Sequence, residues 1–192
     1  MIDAAASTKP PTPTPTSTPA LQTDPIGLAF DHWVSNGWDA AADGMALVTS
    51  VMRVQQVFLA RVEAVLKPNG LTFARFEVLR LLGFSRTGTL PIGKIGQRLQ
   101  VHAASVTNAV QRLEAGGLVE RRPNPEDGRS VLVSITAAGE VVVGQCTLAL
   151  NQDVFSVMPL LPERQREVFD ALRVVRRAYG DWGDADASDG FR

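Results

Sequence analysis

Residues 99–135, LQVHAASVTNAVQRLEAGGLVERRPNPEDGRSVLVSI, decide which fold this chain adopts. A helix is predicted over residues 103–115, because Val106, Val110 and Leu113 recur at the spacing that places apolar side chains on one helix face. Two glycines follow at once, and glycine supplies the left-handed conformation that ends many helices. The stretch therefore predicts a short amphipathic helix with a sharp stop.

The opposite face of this predicted helix is polar. Its side chains are those of Ser105, Thr107, Asn108, Gln111 and Arg112. Asn and Gln can form paired hydrogen bonds with adenine, and Arg can do the same with guanine. The composition therefore suits contact with DNA base edges, whereas the alternative is the solvated face of an ordinary surface helix.

Two short β-rich segments follow the helix, at residues 118–119 and 131–135, and turn-forming residues separate them. This pattern predicts a two-stranded hairpin, with Pro123, Pro125 and Asp127-Gly128 as the turn formers. The predicted positions of its arginines are Arg129 at the tip and Arg121 and Arg122 at the base.

An arginine at a hairpin tip can enter a narrow minor groove, where the negative potential is enhanced. Asp127, two residues before Arg129, is placed to accept a hydrogen bond from its guanidinium. The alternative is an exposed loop with an incidental ion pair, worth under ~1 kcal/mol. A polar helix followed directly by such a hairpin is a more specific pattern than either part alone. This combined pattern predicts a winged helix-turn-helix.

The segment VTNAVQRLEAGGLVERRPNPEDGRSVLVSITAAG resembles the MarR (multiple antibiotic resistance regulator) type of winged-helix transcription factors. The Asp127-x-Arg129 wing signature and the segment from Leu113 to Val119 are part of the match. Residues 71–82 and 90–101 resemble the two preceding helices of that domain. The resemblance covers residues 45 to 179.

The resemblance implies a mainly α fold with a small β-hairpin wing, flanked by long dimerisation helices. It further implies a homodimeric regulator, a repressor, that binds a pseudo-palindromic operator. A small aromatic or anionic ligand would release the protein from this operator. His102 departs from the pattern, since many relatives have serine or a similar N-cap there. A histidine caps less well unless its imidazole accepts a backbone N–H, and it brings a titratable group close to DNA.

We expect a division of roles among the DNA-contacting residues. The polar face of the helix would contact bases or phosphates, and Arg129 would enter the flanking minor groove. Lys94 and Arg98 on the preceding helix would contact phosphates. The distribution of charge agrees, because residues 86–131 contain seven Lys or Arg against four Asp or Glu, although the net charge of the chain is −1.

The rest of the composition limits the function classes. The 192 residues are 45% hydrophobic, enough for one core and an interface. The single cysteine, Cys146, excludes an intrachain disulfide and is expected to be a small buried hydrophobe rather than a redox switch. No metal-ligand spacing, phosphate-binding glycine loop or nucleophile–base pair is present, so we expect no enzyme, metal or cofactor. No stretch long and apolar enough for a membrane span or signal peptide occurs, and we expect a cytoplasmic protein.

The chain divides into segments of different composition. Residues 1–23 contain five prolines and few bulky apolar side chains, and they are expected to form a disordered arm. Residues 24–180 form the expected MarR-type domain. Within it, residues 24–69 and 137–180 are dimerisation helices, and residues 71–136 are the DNA-binding module. Residues 181–192 form an acidic, flexible tail.

Four helices are expected in the dimerisation segments. Asp24-Pro25 begins the first, residues 39–66 form the second, Thr136 caps one that reaches about residue 157, and Leu161-Pro162 begins the last, which closes at Gly180. Their apolar stripes exceed what a monomer of this length can cover, so a helical dimer interface is predicted, with packing inside one chain as the alternative.

The resemblance implies effector binding where the dimerisation helices meet the winged module. The expected ligand residues are His32, Trp33, Trp38 and Glu77, and the alternative is that both tryptophans are packing anchors. The urate-sensing branch of the family has a tryptophan on an extra N-terminal helix, which Trp33 matches. It also has an acidic residue, which Glu77 matches. Ala109 stands where that branch has an arginine, so the resemblance does not extend to urate.

A winged helix that binds another protein rather than DNA is the rival function, because a fold does not dictate function. Salt discriminates between the two, since binding through several phosphate contacts weakens steeply as salt rises.

Overall fold

The computed structural model describes residues 23–182, which form two compact units divided between Gln55 and Gln56. The described chain is mainly α-helical, as predicted, and the predicted two-stranded hairpin is part of a three-stranded antiparallel sheet. The elements are α1 (Pro25–Ser35), α2 (Asp39–Leu66), α3 (Phe73–Phe84), β1 (Thr89–Pro91), α4 (Ile92–Leu99), α5 (Ala103–Ala115), β2 (Val119–Asn124), β3 (Asp127–Ile135), α6 (Ala137–Leu150) and α7 (Pro162–Ala178). The predicted disorder of residues 1–22 and most of the acidic tail lie outside the described residues.

The N-terminal unit contains α1 and the first half of α2. Asp24 caps α1 as predicted, because its Oδ1 accepts the backbone N–H of Ile26 at 3.0 Å, and Pro25 occupies the first turn. Gly37 adopts a left-handed conformation (φ +80°) in the turn between the helices. In that turn the rings of Trp33 and Trp38 lie edge to face, with centroids 5.3 Å apart.

The second unit begins within α2, which ends where the sequence predicted. Residues 67–69 form a single 3₁₀ turn, and Gly70 follows with φ +67°. The side chain of Thr72 then caps α3 by accepting the backbone N–H of Arg75 at 3.5 Å. The glycine that ends the first helix and the threonine that caps the next one therefore lie only two positions apart.

One hydrophobic core holds the second unit together. Its side chains come from the end of α2, from α3, α4, α5, α6 and the sheet, and the apolar stripe predicted on α5 lies within it. The side chains with at most 2% exposure are those of Leu66, Val78, Leu79, Leu82, Ile95, Val106, Val110, Leu113, Val119, Val133, Val143, Cys146 and Leu150. Burial of such side chains is worth roughly 1.5–3 kcal/mol each, and this burial fixes α5 against the rest of the unit.

The sheet has the strand order β1–β3–β2. Leu90 in β1 pairs with Val133 in β3, and both side chains are buried. The prediction of one helix over residues 90–101 is therefore wrong at its start. Helix α4 begins only at Ile92, because Pro91 stays extended (ψ 139°) as its N-cap and Leu90 is held in the sheet.

The helices after the sheet differ in detail from the prediction. Thr136 caps α6 by accepting the N–H of Gly139 at 3.0 Å, as expected. The α-helix ends at Leu150 and continues as a π-helical turn to Phe155, whereas a continuous helix to residue 157 was predicted. Helix α7 ends close to Gly180, which has φ +74°.

The first turn of α6 lies unusually close to the turn that follows α5. Thr136 donates its hydroxyl to the carbonyl of Gly117 at 2.8 Å, and its backbone N–H to the carbonyl of Leu118 at 3.1 Å. A Cβ at Gly139 would lie 2.2 Å from the carbonyl oxygen of Leu118 and 2.8 Å from the side chain of Ile135. Only glycine allows this approach.

Among residues 23–182, no helix combines the length and the apolar character that crossing a membrane requires.

Candidate nucleic-acid interface

Helix α5, which we call the recognition helix, has one buried and one exposed face. Val106, Val110 and Leu113 are at most 2% exposed. The side chains of Ser105, Asn108, Gln111 and Arg112 are exposed, and that of Thr107 is half-buried. The polar residues predicted from the sequence therefore share the solvent side of one helix, where they are available to a groove of DNA.

Two clefts flank this exposed face. One of about 640 Å³ is bordered by Ser105, Asn108 and Arg112 on α5 and by the first turn of α3. The other, of about 330 Å³, lies on the side of α4 and includes Thr107. Thr107 donates its hydroxyl to the carbonyl of Ala103 at 2.9 Å, which leaves its oxygen able to accept a further hydrogen bond.

His102 caps the recognition helix with its imidazole. Nδ1 accepts the backbone N–H of Ala104 at 3.4 Å, so the condition for histidine to replace serine at this position is met. This hydrogen bond requires an unprotonated Nδ1, because a protonated imidazole has no acceptor. At the other end Gly117 adopts φ +69°, whereas Gly116 has φ −86°, so only the second glycine is left-handed.

The hairpin after the recognition helix, the wing, is longer than predicted. Strands β2 and β3 are paired from Val119 and Ile135 outward to Asn124 and Asp127, so the tip is Pro125-Glu126, and of the predicted turn formers only Pro125 lies in it. Asn124 stabilises this turn, because its Oδ1 accepts the N–H of Glu126 at 3.1 Å.

Arg129 lies in a bulge next to the tip. Pro123 pairs with Val131 and Asn124 with Asp127, so residues 128–130 of β3 have no partner residue on β2. The expected hydrogen bond from the Arg129 guanidinium to Asp127 is not formed. The Oδ1 of Asp127 instead accepts the backbone N–H of Arg129 at 3.0 Å, which shapes the bulge, and the side chain of Arg129 is exposed.

Arg121 connects the wing to the recognition helix. Its Nε donates to Oε2 of Glu114 at 2.7 Å, and its Nη2 lies 2.6 Å from the same oxygen. The hydrogen bond with Glu114 raises the pKa of Arg121 above its ordinary value. Arg121 and Arg122 pair with Val133 and Leu132 within the ladder, so they lie further along the wing than the base predicted for them.

The phosphate-contacting residues expected on the preceding helix lie one turn apart on α4. Lys94 is exposed and Arg98 is half-buried. Gln100 ends this helix in a left-handed conformation (φ 52°) and directs the chain into α5. Helix α4, the short turn and α5 therefore form the expected helix-turn-helix.

Two residues that were not predicted from the sequence, Thr72 and Arg75, border the larger cleft. They lie some thirty positions before α5, and only the packing of α3 beside α5 brings them to it. The sequence feature that could have indicated them is an arginine in the first turn of a helix that begins with a threonine cap.

The predicted ligand residues are divided between the two units. His32 and Trp38 are exposed and Trp33 is half-buried in the N-terminal unit. Glu77 lies in α3 of the second unit, where burial raises the pKa of its carboxyl. Ala109 is nearly buried in α5, so no cation occupies that position. A shared ligand site for these four residues stays a prediction.

Neither a metal site nor a reactive thiol is found in residues 23–182. No group of three or more His, Cys, Asp or Glu side chains there could hold an ion. Cys146 is fully buried in α6, and this burial raises the pKa of its thiol. The expectation that it is a small core side chain is confirmed.

The chain is similar to known transcriptional regulators. Residues 69–130 match the model of the MarR family. The multiple antibiotic resistance protein MarR of Escherichia coli K12 is 36% identical over 89 residues, which are 46% of this chain and only 60% of that protein.

Solved structures cover more of the chain. Sco5413, a MarR family transcriptional regulator from Streptomyces coelicolor, has 48% identity and a TM-score of 0.68, over 74% of this chain and 99% of that one. A mutant MarR from E. coli complexed with operator DNA has 27% identity and a TM-score of 0.64, over 71% and 98%. The predicted winged helix-turn-helix fold is confirmed by these similarities.

Proposed function

The chain belongs to the MarR family, and from this premise we propose that it is a cytoplasmic, homodimeric repressor that binds a pseudo-palindromic operator. Its relatives are transcriptional regulators and not enzymes. The observation that supports DNA binding is the exposed polar face of α5, followed at once by a wing with an exposed arginine. In the E. coli MarR complex, the related fold is bound to operator DNA.

Base recognition is proposed for the exposed face of α5. Asn108 and Gln111 can each form two hydrogen bonds with adenine, and Arg112 can do so with guanine. Ser105 and Thr107 provide shorter donors and acceptors for either base edges or phosphates. Each good paired contact is worth about 1–3 kcal/mol of discrimination against the wrong base.

The wing and α4 complete the proposed contacts. Arg129 would enter the minor groove beside the major groove that α5 occupies, where the negative potential favours an arginine. Asp127 contributes by holding the backbone of the bulge. Lys94 and Arg98 would contact phosphates and so set the register of the protein on DNA without selecting sequence.

A second copy of the chain is proposed to cover the apolar faces of the long helices. No residue of α7 is buried, although Val168, Phe169 and Leu172 are large and apolar. Helix α2 also has exposed apolar side chains, among them Leu47, Val51 and Phe58. Such faces are stable in water only when covered. A two-fold axis would place two recognition helices in successive major grooves, about 34–36 Å apart.

A small aromatic or anionic ligand is proposed to release the operator. Trp33, Trp38 and His32 offer aromatic and polar groups, and Glu77 offers a carboxyl whose charged form is disfavoured by burial. A ligand can shift the spacing of the recognition helices only if its affinity differs between the two spacings. A thermal-shift screen of aromatic acids and purines tests this part, and the absence of stabilisation by any of them counts against it.

The main experiment measures DNA binding by the purified protein and its Arg129→Ala variant. DNA fragments selected from a random pool provide the operator, and gel shifts at physiological salt provide affinities. We expect the variant to bind about tenfold or more weakly and to remain dimeric in size-exclusion chromatography. Arg164→Ala is the matched control, since Arg164 pairs with Glu167 on the distant helix α7. Equal affinity of Arg129→Ala and wild type contradicts the role of the wing.

Salt titration distinguishes this proposal from the rival, a winged helix that binds a protein partner. Binding through several phosphates weakens steeply between about 50 and 200 mM salt. The affinity for a protein partner that is bound through apolar contacts changes little over the same range of salt. In vitro transcription from a promoter with the selected site then shows whether occupancy represses.

A further inference from the structure

The larger cleft beside the recognition helix contains two arginines from different elements. Arg112 lies on α5, and Arg75 lies in the first turn of α3. Ser105 and Asn108 border the same cleft, so its rim is shared with the residues proposed to contact bases. The volume is about 640 Å³, ample for a group as large as a phosphodiester.

The side chain of Arg75 is oriented by the N-cap of its own helix. Thr72 Oγ1 accepts hydrogen bonds from both the Nε–H of Arg75, at 3.2 Å, and its backbone N–H, at 3.5 Å. The Nε–H is thereby used within the protein, whereas the two terminal nitrogens have no hydrogen-bond acceptor among the described residues. A guanidinium held at one edge presents its other edge to a ligand, with little orientational freedom left to lose.

The cleft has an excess of positive charge. Within residues 23–182, neither Arg75 nor Arg112 forms an ion pair, whereas Arg121, Arg164, Arg166, Arg173 and Arg176 all do. The amino end of α3 also carries the partial positive charge of a helix dipole. Two uncompensated guanidinium groups and a helix terminus thus face one cleft, which favours an anion.

We propose that Arg75 binds a phosphate of the DNA strand that borders the major groove occupied by α5. This inference rests on the proposed function and extends it to α3. A helix fills most of a major groove that is about 12 Å wide, so an element packed beside that helix meets the sugar-phosphate backbone rather than base edges. Arg75 therefore positions the protein without selecting sequence, in parallel with Lys94 and Arg98 on the other flank.

The test compares salt dependence for the wild type, Arg75→Ala and Arg75→Lys. The logarithm of the binding constant falls with the logarithm of salt concentration with a slope of about −0.9 per phosphate contact. We expect Arg75→Ala to reduce the magnitude of the slope by about 0.9 and to weaken selected and random DNA by the same factor. Arg75→Lys should keep the slope, because it keeps the charge. Arg164→Ala, which removes an equal charge from α7, should change nothing.

Four results overturn the proposal. An unchanged slope in Arg75→Ala, with wild type binding normally, removes Arg75 from the interface but leaves the proposed function intact. A loss confined to selected DNA makes Arg75 a base-contacting residue. Stabilisation of wild type by inorganic phosphate or benzoate that is lost in Arg75→Ala, together with an unchanged slope, assigns the cleft to free anions. If wild type itself binds no DNA, the proposed function fails, and this proposal fails with it.

Circular dichroism and thermal melting check that each variant is folded. Should Arg75→Ala be unstable, Arg75→Gln replaces it, because it removes the charge while keeping a side-chain amide donor near Thr72. The expected reduction in slope is the same.

Discussion

Arg121 in β2 and Glu114 in the last turn of α5 form an ion pair in which two guanidinium nitrogens lie 2.6 and 2.7 Å from one carboxylate oxygen. The two residues are joined by a turn of only a few residues around Gly117. Both side chains are about one-third exposed, 34% and 35%, so the pair adds little to overall stability. Its effect is geometric, since it fixes the wing relative to the recognition helix.

Glu114→Gln is expected to lower specificity while raising non-specific affinity. The substitution removes a negative charge beside the DNA-facing surface and releases Arg121 to contact phosphate, which adds up to about 0.9 to the salt slope. The wing also loses its fixed angle, so the ratio of selected to random affinity should fall several-fold. Parallel titrations on both DNAs measure this ratio.

The exchange Glu114→Arg with Arg121→Glu is the control for that prediction. It restores a pair of opposite charge between α5 and β2 and should recover much of the specificity ratio. If the exchanged protein behaves like Glu114→Gln, the position of the charge on the DNA surface matters and the connection between helix and wing does not.

Gly139→Ala is expected to destabilise the protein strongly. The new Cβ would meet the carbonyl oxygen of Leu118 at 2.2 Å, and a backbone atom there cannot yield without moving α6. Such overpacking costs about 3 kcal/mol, or roughly 6–12 °C in melting temperature for a protein of this size. Gly144→Ala on the same helix is the control, because its Cβ meets nothing within 4 Å and alanine favours a helix. Equal melting temperatures for the two variants would contradict the close approach.

His102→Ala is expected to lower stability by about 1 kcal/mol, because the N–H of Ala104 loses its acceptor. His102→Asn should retain most of the stability, since asparagine is a good N-cap. Chemical denaturation measures both. Equal stability of His102→Ala and wild type would argue against capping.

Glu77 makes the stability of the protein depend on pH, and the sign of this dependence follows from the burial of its carboxyl. Burial raises the pKa of its carboxyl in the folded state, so folding favours the neutral form. The contribution of Glu77 to folding stability is fully present at acidic pH, below the pKa of this carboxyl in the unfolded chain. It is lost as pH rises through the pKa of the carboxyl in the folded state. Glu77→Gln should therefore be more stable than wild type at neutral pH, with the difference shrinking toward acidic pH. Urea denaturation between pH 4 and 8 follows this difference, and a constant gap would show that burial of the charge is not its cause.

Much of the fold was predictable because its signals are local. The caps at Asp24 and Thr136, the stop at Gly70 and the apolar stripe on α5 each depend on residues within one or two turns of helix. Helix α2 was predicted residue for residue for the same reason.

The errors arose where contacts between distant residues decide the structure. Thr89–Pro91 became a strand only because β3, some forty residues later, offers it a partner. The position of Arg129 depends on a bulge that follows from Pro123, which has no N–H for the ladder. Arg75 could not be assigned to the interface, because α3 carries no sign in its own sequence that it packs beside α5.

The three-stranded sheet has a consequence for how the protein would respond to DNA shape. Strand β3 extends over nine residues, about 30 Å at 3.3 Å per residue, with Arg129 near one end and the partners of β1 at the other. Since β1 leads directly into α4, bending the wing would strain the backbone ladder that anchors Lys94. We therefore expect the paired base of the wing to resist bending, so that bound DNA adjusts its groove width to the protein. We expect bases that no side chain touches to influence affinity through the cost of that adjustment.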